Sequence, residues 1–196
     1  KYIPVPITEV TLDWFVIPQE SDFSDDRQEN KDNSKIEVLV VAIHNETLSQ
    51  FKDIVKKTNL VCNTFEMEIF SNIRSCFSHE ISPVMLVDFG ASKTKVSVIE
   101  GGVVKVFHVV NRGSQDITRN ISQSLNLTFE ESEKLKRMVG LDGGIDPRIE
   151  KIARLSVDYI FTDINSIVFA YQKKYNKSIR KVFLTDGGSL LKRFLQ

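Results

Sequence analysis

One stretch of this chain, VMLVDFGASKTKVSVIEGGVVKVFHVV, constrains its fold more than any other. Residues 84–87 read as a buried apolar strand that ends in Asp-Phe-Gly-Ala-Ser-Lys-Thr. Residues 95–100 form a second strand. Gly101-Gly102 supplies a two-residue hairpin turn, and residues 103–110 return as a third strand. Such a meander has to be covered by other layers, and the sequence that follows supplies helices. Ile117, Ile121 and Leu125 mark one helix, and Thr128 with Glu131 forms a capping box that starts another, to about Val139. Asp146 caps a long helix with Pro147 at its first position. Ile149, Ile152, Ala153, Ile160, Ile164, Ile167, Val168 and Tyr171 keep its helical period. Residues 181–184 are a strand running into Thr-Asp-Gly-Gly-Ser and a last helix.

The preceding part alternates strand and helix, which places the whole chain in the α/β class. Residues 8–17 read as a strand whose start Pro4 and Pro6 restrict to an edge or loop. Residues 19–35 hold Phe23 as their only apolar side chain and are expected to form a flexible loop. Residues 36–43, IEVLVVAI, suit a strand covered on both faces. Thr47 and Gln50 match a capping box opening a helix to about Lys57, residues 60–62 suit a short strand, and residues 65–77 carry one apolar helical stripe. The division into domains is expected between residues 82 and 83.

Composition excludes several functions. The chain has 196 residues with 26 Lys+Arg against 26 Asp+Glu, a balance that argues against a nucleic-acid binder and a polybasic membrane patch. No apolar run approaches the ~20 residues of a membrane helix, so direct membrane insertion is not expected. Cys62 and Cys76 form no CxxC pair and read as two buried thiols; His44, His79 and His108 lack metal-ligand spacing. The first residue is Lys1, which suggests a chain cut from something longer.

Three features carry chemistry. In Asp88-Phe-Gly90-Ala91-Ser92-Lys93-Thr94, a turn of small residues between strands can aim backbone N–H groups at phosphate oxygens, and an Asp at the strand end can hold a hydrated Mg²⁺. The plain alternative is a tight hairpin. In Asp186-Gly187-Gly188-Ser189, glycines let a flat ligand approach the main chain, with an ordinary strand-to-helix turn as the alternative. Glu133 and Lys136 share a helix face, where they could reach sugar hydroxyls or simply form a solvated ion pair.

The order of these features resembles the second half of the actin-like ATPase (ribonuclease H-like) fold. Within it, the chain resembles the PilM family of type IV pilus assembly. YIPVPITEVTLDWFVI is similar to that family's YIPFP-type segment, and VLVVAI with the Thr47 helix to its inserted 1C subdomain. VNRGSQDITRNISQSLNLTFEESEKLK is similar to a stretch shared by PilM and the division protein FtsA. The resemblance implies a partial actin-like fold: a 1C-like subdomain with the end of domain 1 in residues 1–82, then a nucleotide-binding 2A/2B-like half in residues 83–196.

It also implies site residues. Asp88 would organise Mg²⁺ through water, and Gly90, Ala91, Ser92 and Lys93 would offer N–H groups to the phosphates of ATP, supported by Thr94. Gly113 would lie beside the cleft, Glu133 and Lys136 would touch ribose and adenine, and Gly187, Gly188 and Ser189 would line the adenosine pocket. The implied role is a cytoplasmic scaffold brought to the inner membrane by the N-terminal cytoplasmic tail of a PilN-like pilus protein. Polymerisation and self-association stay open. FtsA-like and GspL-like proteins share the cleft pattern and remain alternatives, whereas nothing here argues for the base and sugar pocket of a sugar kinase. The family's first phosphate loop, DxGxxxxK, does not precede Tyr2, so a further domain is expected upstream. Arg112 and Asp186 stand where the pattern has glycines, and the 65–77 helix has no Gln to position an attacking water. ATPase activity is therefore expected to be weak at most, with no catalytic residue assigned.

Overall fold

The computed structural model describes residues 5–17, 36, 38–77 and 80–195. They fall into two compact units, Lys1–Met67 and Glu68–Gln196. The loop expected at 19–35 lies outside the described residues.

In the first unit, β1 (Val10–Val16) and β2 (Val38–His44) pair antiparallel with Val10 opposite His44. A 3-10 turn at Ile7–Glu9 occupies the start of the strand expected from residue 8. Along β2, exposed and half-buried residues alternate, so this strand is covered on one face and not on both as expected. The reason is the sheet's size: two strands and one helix, α1 (Asn45–Lys57), offer no second layer. That helix begins at Asn45, two residues before the expected cap at Thr47. Asn45 ties this helix start to the preceding segment, donating to the Thr8 carbonyl at 3.1 Å and accepting from the Thr11 hydroxyl at 2.7 Å. No strand forms at 60–62, and Cys62 is exposed, while Cys76 is half-buried; neither is the buried thiol expected.

The second unit is built on a sheet in the order β5-β4-β3-β6. β3 (Val84–Phe89), β4 (Thr94–Glu100) and β5 (Val103–Val110) form the antiparallel meander, closed at Gly101 and Gly102 with φ of +55° and +77°, a turn that suits glycine. β6 (Lys181–Thr185) lies parallel to β3, with Asp88 opposite Thr185. A parallel neighbour requires a long crossover, and α3 (Ser114–Leu125), α4 (Phe129–Val139) and α5 (Pro147–Tyr175) provide it. The Thr128–Glu131 capping box and the Asp146 cap with Pro147 form as expected, and left-handed Asn126 and Asn176 end α3 and α5. Met85, Val87, Phe89, Val96 and Val98 of the sheet pack on Ile117, Ile121, Val139, Ile149 and Val157 of the helices to make the core.

α2 (Glu68–Cys76) is shorter than its sequence stripe suggests. It packs with the second unit: Lys95 bonds to Glu68, and Phe77, just beyond the helix, meets Phe183 edge-on at 4.7 Å. That packing places α2 in the second compact unit, which begins at Glu68. After Gly187 the expected last helix is only a 3-10 turn, Gly187–Leu190, because Leu191 turns to extended backbone and is buried. Ile117, fully buried where α3 meets the sheet, tests this layering. Ile117→Ala should cost roughly 2–5 kcal/mol, read as a lowered urea midpoint with little change in far-UV circular dichroism.

Candidate functional site

The parallel pairing of β3 with β6 sets two glycine turns side by side. A methyl at Gly90 would come 3.1 Å from Asp186 Oδ2, and one at Gly188 would come 2.4 Å from the Phe89 carbonyl. Gly188 therefore lets the second turn lie against the end of β3. Gly113 plays the same part for α3, since a methyl there would meet the Ala91 carbonyl at 2.4 Å.

The first turn is held from behind. Ser114 and Gln115 amides donate to the Gly90 and Ala91 carbonyls at 2.9 and 2.8 Å. The buried Thr94 hydroxyl donates to the Arg112 carbonyl at 2.9 Å and so braces the end of the turn. The Gly90 amide, expected to face an anion, instead donates to the Lys93 and Asp88 carbonyls. Ala91, Ser92 and Lys93 are exposed.

In the second turn Asp186 has φ 68° and ψ 173°, a region favoured almost only by glycine. Its Oδ1 accepts from the Gly187 amide at 2.5 Å, and its carbonyl accepts from the Ser189 hydroxyl at 2.6 Å. Ser189 is thus spent on the turn. Only a 3-10 turn follows it, so the last helix expected here from the sequence does not form.

α4 closes the third side. Glu133 accepts from Lys136 at 2.7 Å, from the Thr118 hydroxyl at 2.6 Å and from Arg137 at 2.8 Å. Burial pushes the Glu133 pKa up, but these hydrogen bonds outweigh it and bring it down to about 2. Lys136 is buried and also donates to the Ser114 carbonyl at 3.1 Å. The pair is an internal strut, not the solvated ion pair its spacing suggests. Beyond α4, the Leu141 amide donates to the Lys192 carbonyl at 2.9 Å, which ties this helix to the chain after the second turn.

A cleft of about 620 Å³ opens between these parts. Of the residues singled out in sequence, Ala91, Glu133, Lys136, Gly187 and Gly188 line it; Asp88, Gly90, Ser92, Lys93, Thr94, Gly113 and Ser189 do not. Sequence reasoning missed Ser114, Gln115, Phe129, Arg137, Leu190 and Leu191. Phe129 and Arg137 lie four positions either side of Glu133, on one helix face, and that spacing could have found them. Phe129, Leu190 and Leu191 give an apolar wall beside polar groups and the exposed Gly187, a lining suited to a flat ring with a polar, anionic tail.

Asp88 lies behind the first turn and is 5% exposed. Its Oδ1 accepts from the Thr185 hydroxyl at 3.2 Å, and its Oδ2 faces the Lys95 ammonium at 3.3 Å. Burial lowers the Lys95 pKa, but the Glu68 hydrogen bond and the Asp88 charge outweigh it and raise it above the ordinary ammonium value. One buried carboxylate with an ammonium already on it does not fit a dedicated divalent-metal site. Among the described residues no group of three or more His, Cys, Asp or Glu could hold a metal ion, and no helix is long and apolar enough to cross a membrane.

The family model for type IV pilus assembly protein PilM matches residues 1–196. Among solved structures the chain is similar to the PilM-PilN type IV pilus biogenesis complex, with 21% identity, a TM-score of 0.79 and coverage of 98% of this chain and 53% of that one. It is also similar to MreB5 of Spiroplasma citri bound to ADP, with 13% identity, a TM-score of 0.60 and coverage of 78% and 56%. These neighbours are actin-like, and so is this fold. Among curated proteins, cell division protein FtsA of Staphylococcus epidermidis is 25% identical over 146 residues, 69% of this chain and 30% of FtsA. Triosephosphate isomerase of Wigglesworthia glossinidia brevipalpis is 26% identical over 197 residues, 84% of this chain and 73% of the isomerase. That enzyme's fold is a closed barrel of parallel strands, and the two sheets described here, one antiparallel and the other largely so, are unlike it. The chain spans about half the length of the PilM chain it matches and under a third of FtsA.

The Glu133 strut makes stability depend on acid. Its folded pKa of about 2 lies below the ordinary 4.5, so its contribution is present above the ordinary value and is lost as pH falls toward 2. Urea midpoints measured from pH 7 downward should fall more steeply below pH 4.5 for the wild type than for Glu133→Gln. At pH 7 that variant should be less stable by roughly 1–3 kcal/mol.

Proposed function

The chain belongs to the type IV pilus assembly protein PilM family, and on that premise we propose that it serves as an actin-like cytoplasmic scaffold. In this reading it binds ATP, with Mg²⁺ accompanying the phosphates, in the cleft of its second unit. It also docks the N-terminal cytoplasmic tail of an inner-membrane pilus protein of the PilN kind, which brings it to that membrane. Residues 1–82 would be the 1C-like part and residues 83–196 the 2A/2B-like part.

The observation that carries the nucleotide half is the meeting of the two glycine turns at one cleft whose third side is the Glu133 helix. Phe129 and Leu190 would hold the purine, Arg137 and Glu133 the ribose hydroxyls, and the exposed backbone of the first turn at Ala91 the phosphates. MreB5, of the same fold, is a protein solved with ADP. The partner half rests on family membership and on the similarity to a PilM chain solved in complex with PilN.

Ala91 is exposed, so a change there tests the site without disturbing the core. Ala91→Asp should weaken ATP binding to the intact protein at least about tenfold by calorimetry, because the new carboxylate faces the phosphates. The variant should still capture the N-terminal peptide of the membrane partner. Unchanged ATP affinity would remove the first turn from the site, and no capture of that peptide by the wild type would remove the docking role.

A further inference from the structure

We infer that Lys95 is a tethered cation that takes the place of a divalent metal ion at the Asp88 carboxylate, so that ATP binding in this cleft needs little help from such an ion. The inference rests on the nucleotide reading above.

Register puts the two residues together. Asp88 and Lys95 face each other across β3 and β4, at the strand ends that flank the first glycine turn. The Lys95 ammonium lies 3.3 Å from Asp88 Oδ2 and also bonds to the Glu68 carboxylate at the start of α2. The other Asp88 oxygen is taken by the Thr185 hydroxyl at the end of β6. Both oxygens of a carboxylate that is 5% exposed are therefore partnered by the chain itself.

A buried carboxylate behind an anion-binding turn is a problem of like charges: it repels phosphate unless a cation stands beside it. A hydrated metal ion is one solution, and here an ammonium on the neighbouring strand is another. A dication approaching Asp88 would have to meet or displace that ammonium. Lys95 directly follows Thr94, the last residue of the turn motif, so the motif is intact and only the charge facing Asp88 is set by residue 95. Glu68 bonds to the same ammonium and helps hold it in place. The same ion triad joins α2 to the sheet, which gives Lys95 a structural effect that the test has to separate from its electrostatic one.

The experiment is calorimetric titration of ATP into the intact protein after EDTA treatment, with and without millimolar MgCl₂. The wild type and Lys95→Arg should bind in both conditions with affinities within about threefold of each other. Lys95→Gln should lose at least about tenfold without the metal and recover most of it when MgCl₂ is added. A merely structural lysine would lower affinity equally in both conditions, and that result overturns the inference. So does a wild type that binds ATP only with MgCl₂, a measurement that needs no variant to fold. A wild type that binds no ATP in either condition overturns the nucleotide reading itself, and the inference with it.

Discussion

The parallel contact between β3 and β6 is the constraint on which the site depends. Strands at residues 84–89 and 181–185 can lie side by side and parallel only if the chain between them leaves the sheet and returns. Three helices do this, and their apolar faces also bury the sheet. The price of such long-range pairing is loop-closure entropy, and the large shared core offsets it. Once the strands are in register, the segments leaving their ends must sit within van der Waals contact. Gly188 on the Phe89 carbonyl and Gly113 on the Ala91 carbonyl are the places where no side chain is admitted.

Electrostatics then fixes what the packing leaves loose. α4 is tied at Lys136 to the first residue of α3 and, past its end, to Lys192 beyond the second turn. Asp142 adds ion pairs to Lys192 and Arg193 at 3.1 and 3.4 Å. The cleft is thus bounded on each side by something bonded to another side. Asp186 is the strained member: its backbone sits where glycine is at home, while its carboxylate caps the Gly187 amide.

Much of the second unit was legible in the chain because its signals are local. The Gly101-Gly102 turn, the Thr128 capping box and the Asp146–Pro147 start act within a few residues, and all three form. The start of α1 is not legible locally, because Asn45 finds its partners at Thr8 and Thr11, far back in the sequence. The missing last helix has a comparable cause: helical periodicity persists in the sequence where buried, extended Leu191 ends the turn. In the site, the glycine turns were readable as motifs. The burial of Lys136 and the pairing of Lys95 with Asp88 were not, because each depends on which strand or helix lies opposite.

The central claim is that both glycine turns belong to one ligand site. Amide chemical shifts of the intact, isotope-labelled protein titrated with ADP test it most directly. The account requires the Ala91–Lys93 and Gly187–Gly188 resonances to move together along one saturating curve, with residues of the β1–β2 sheet unmoved. Movement of one turn without the other, or of neither at saturating nucleotide, would contradict it.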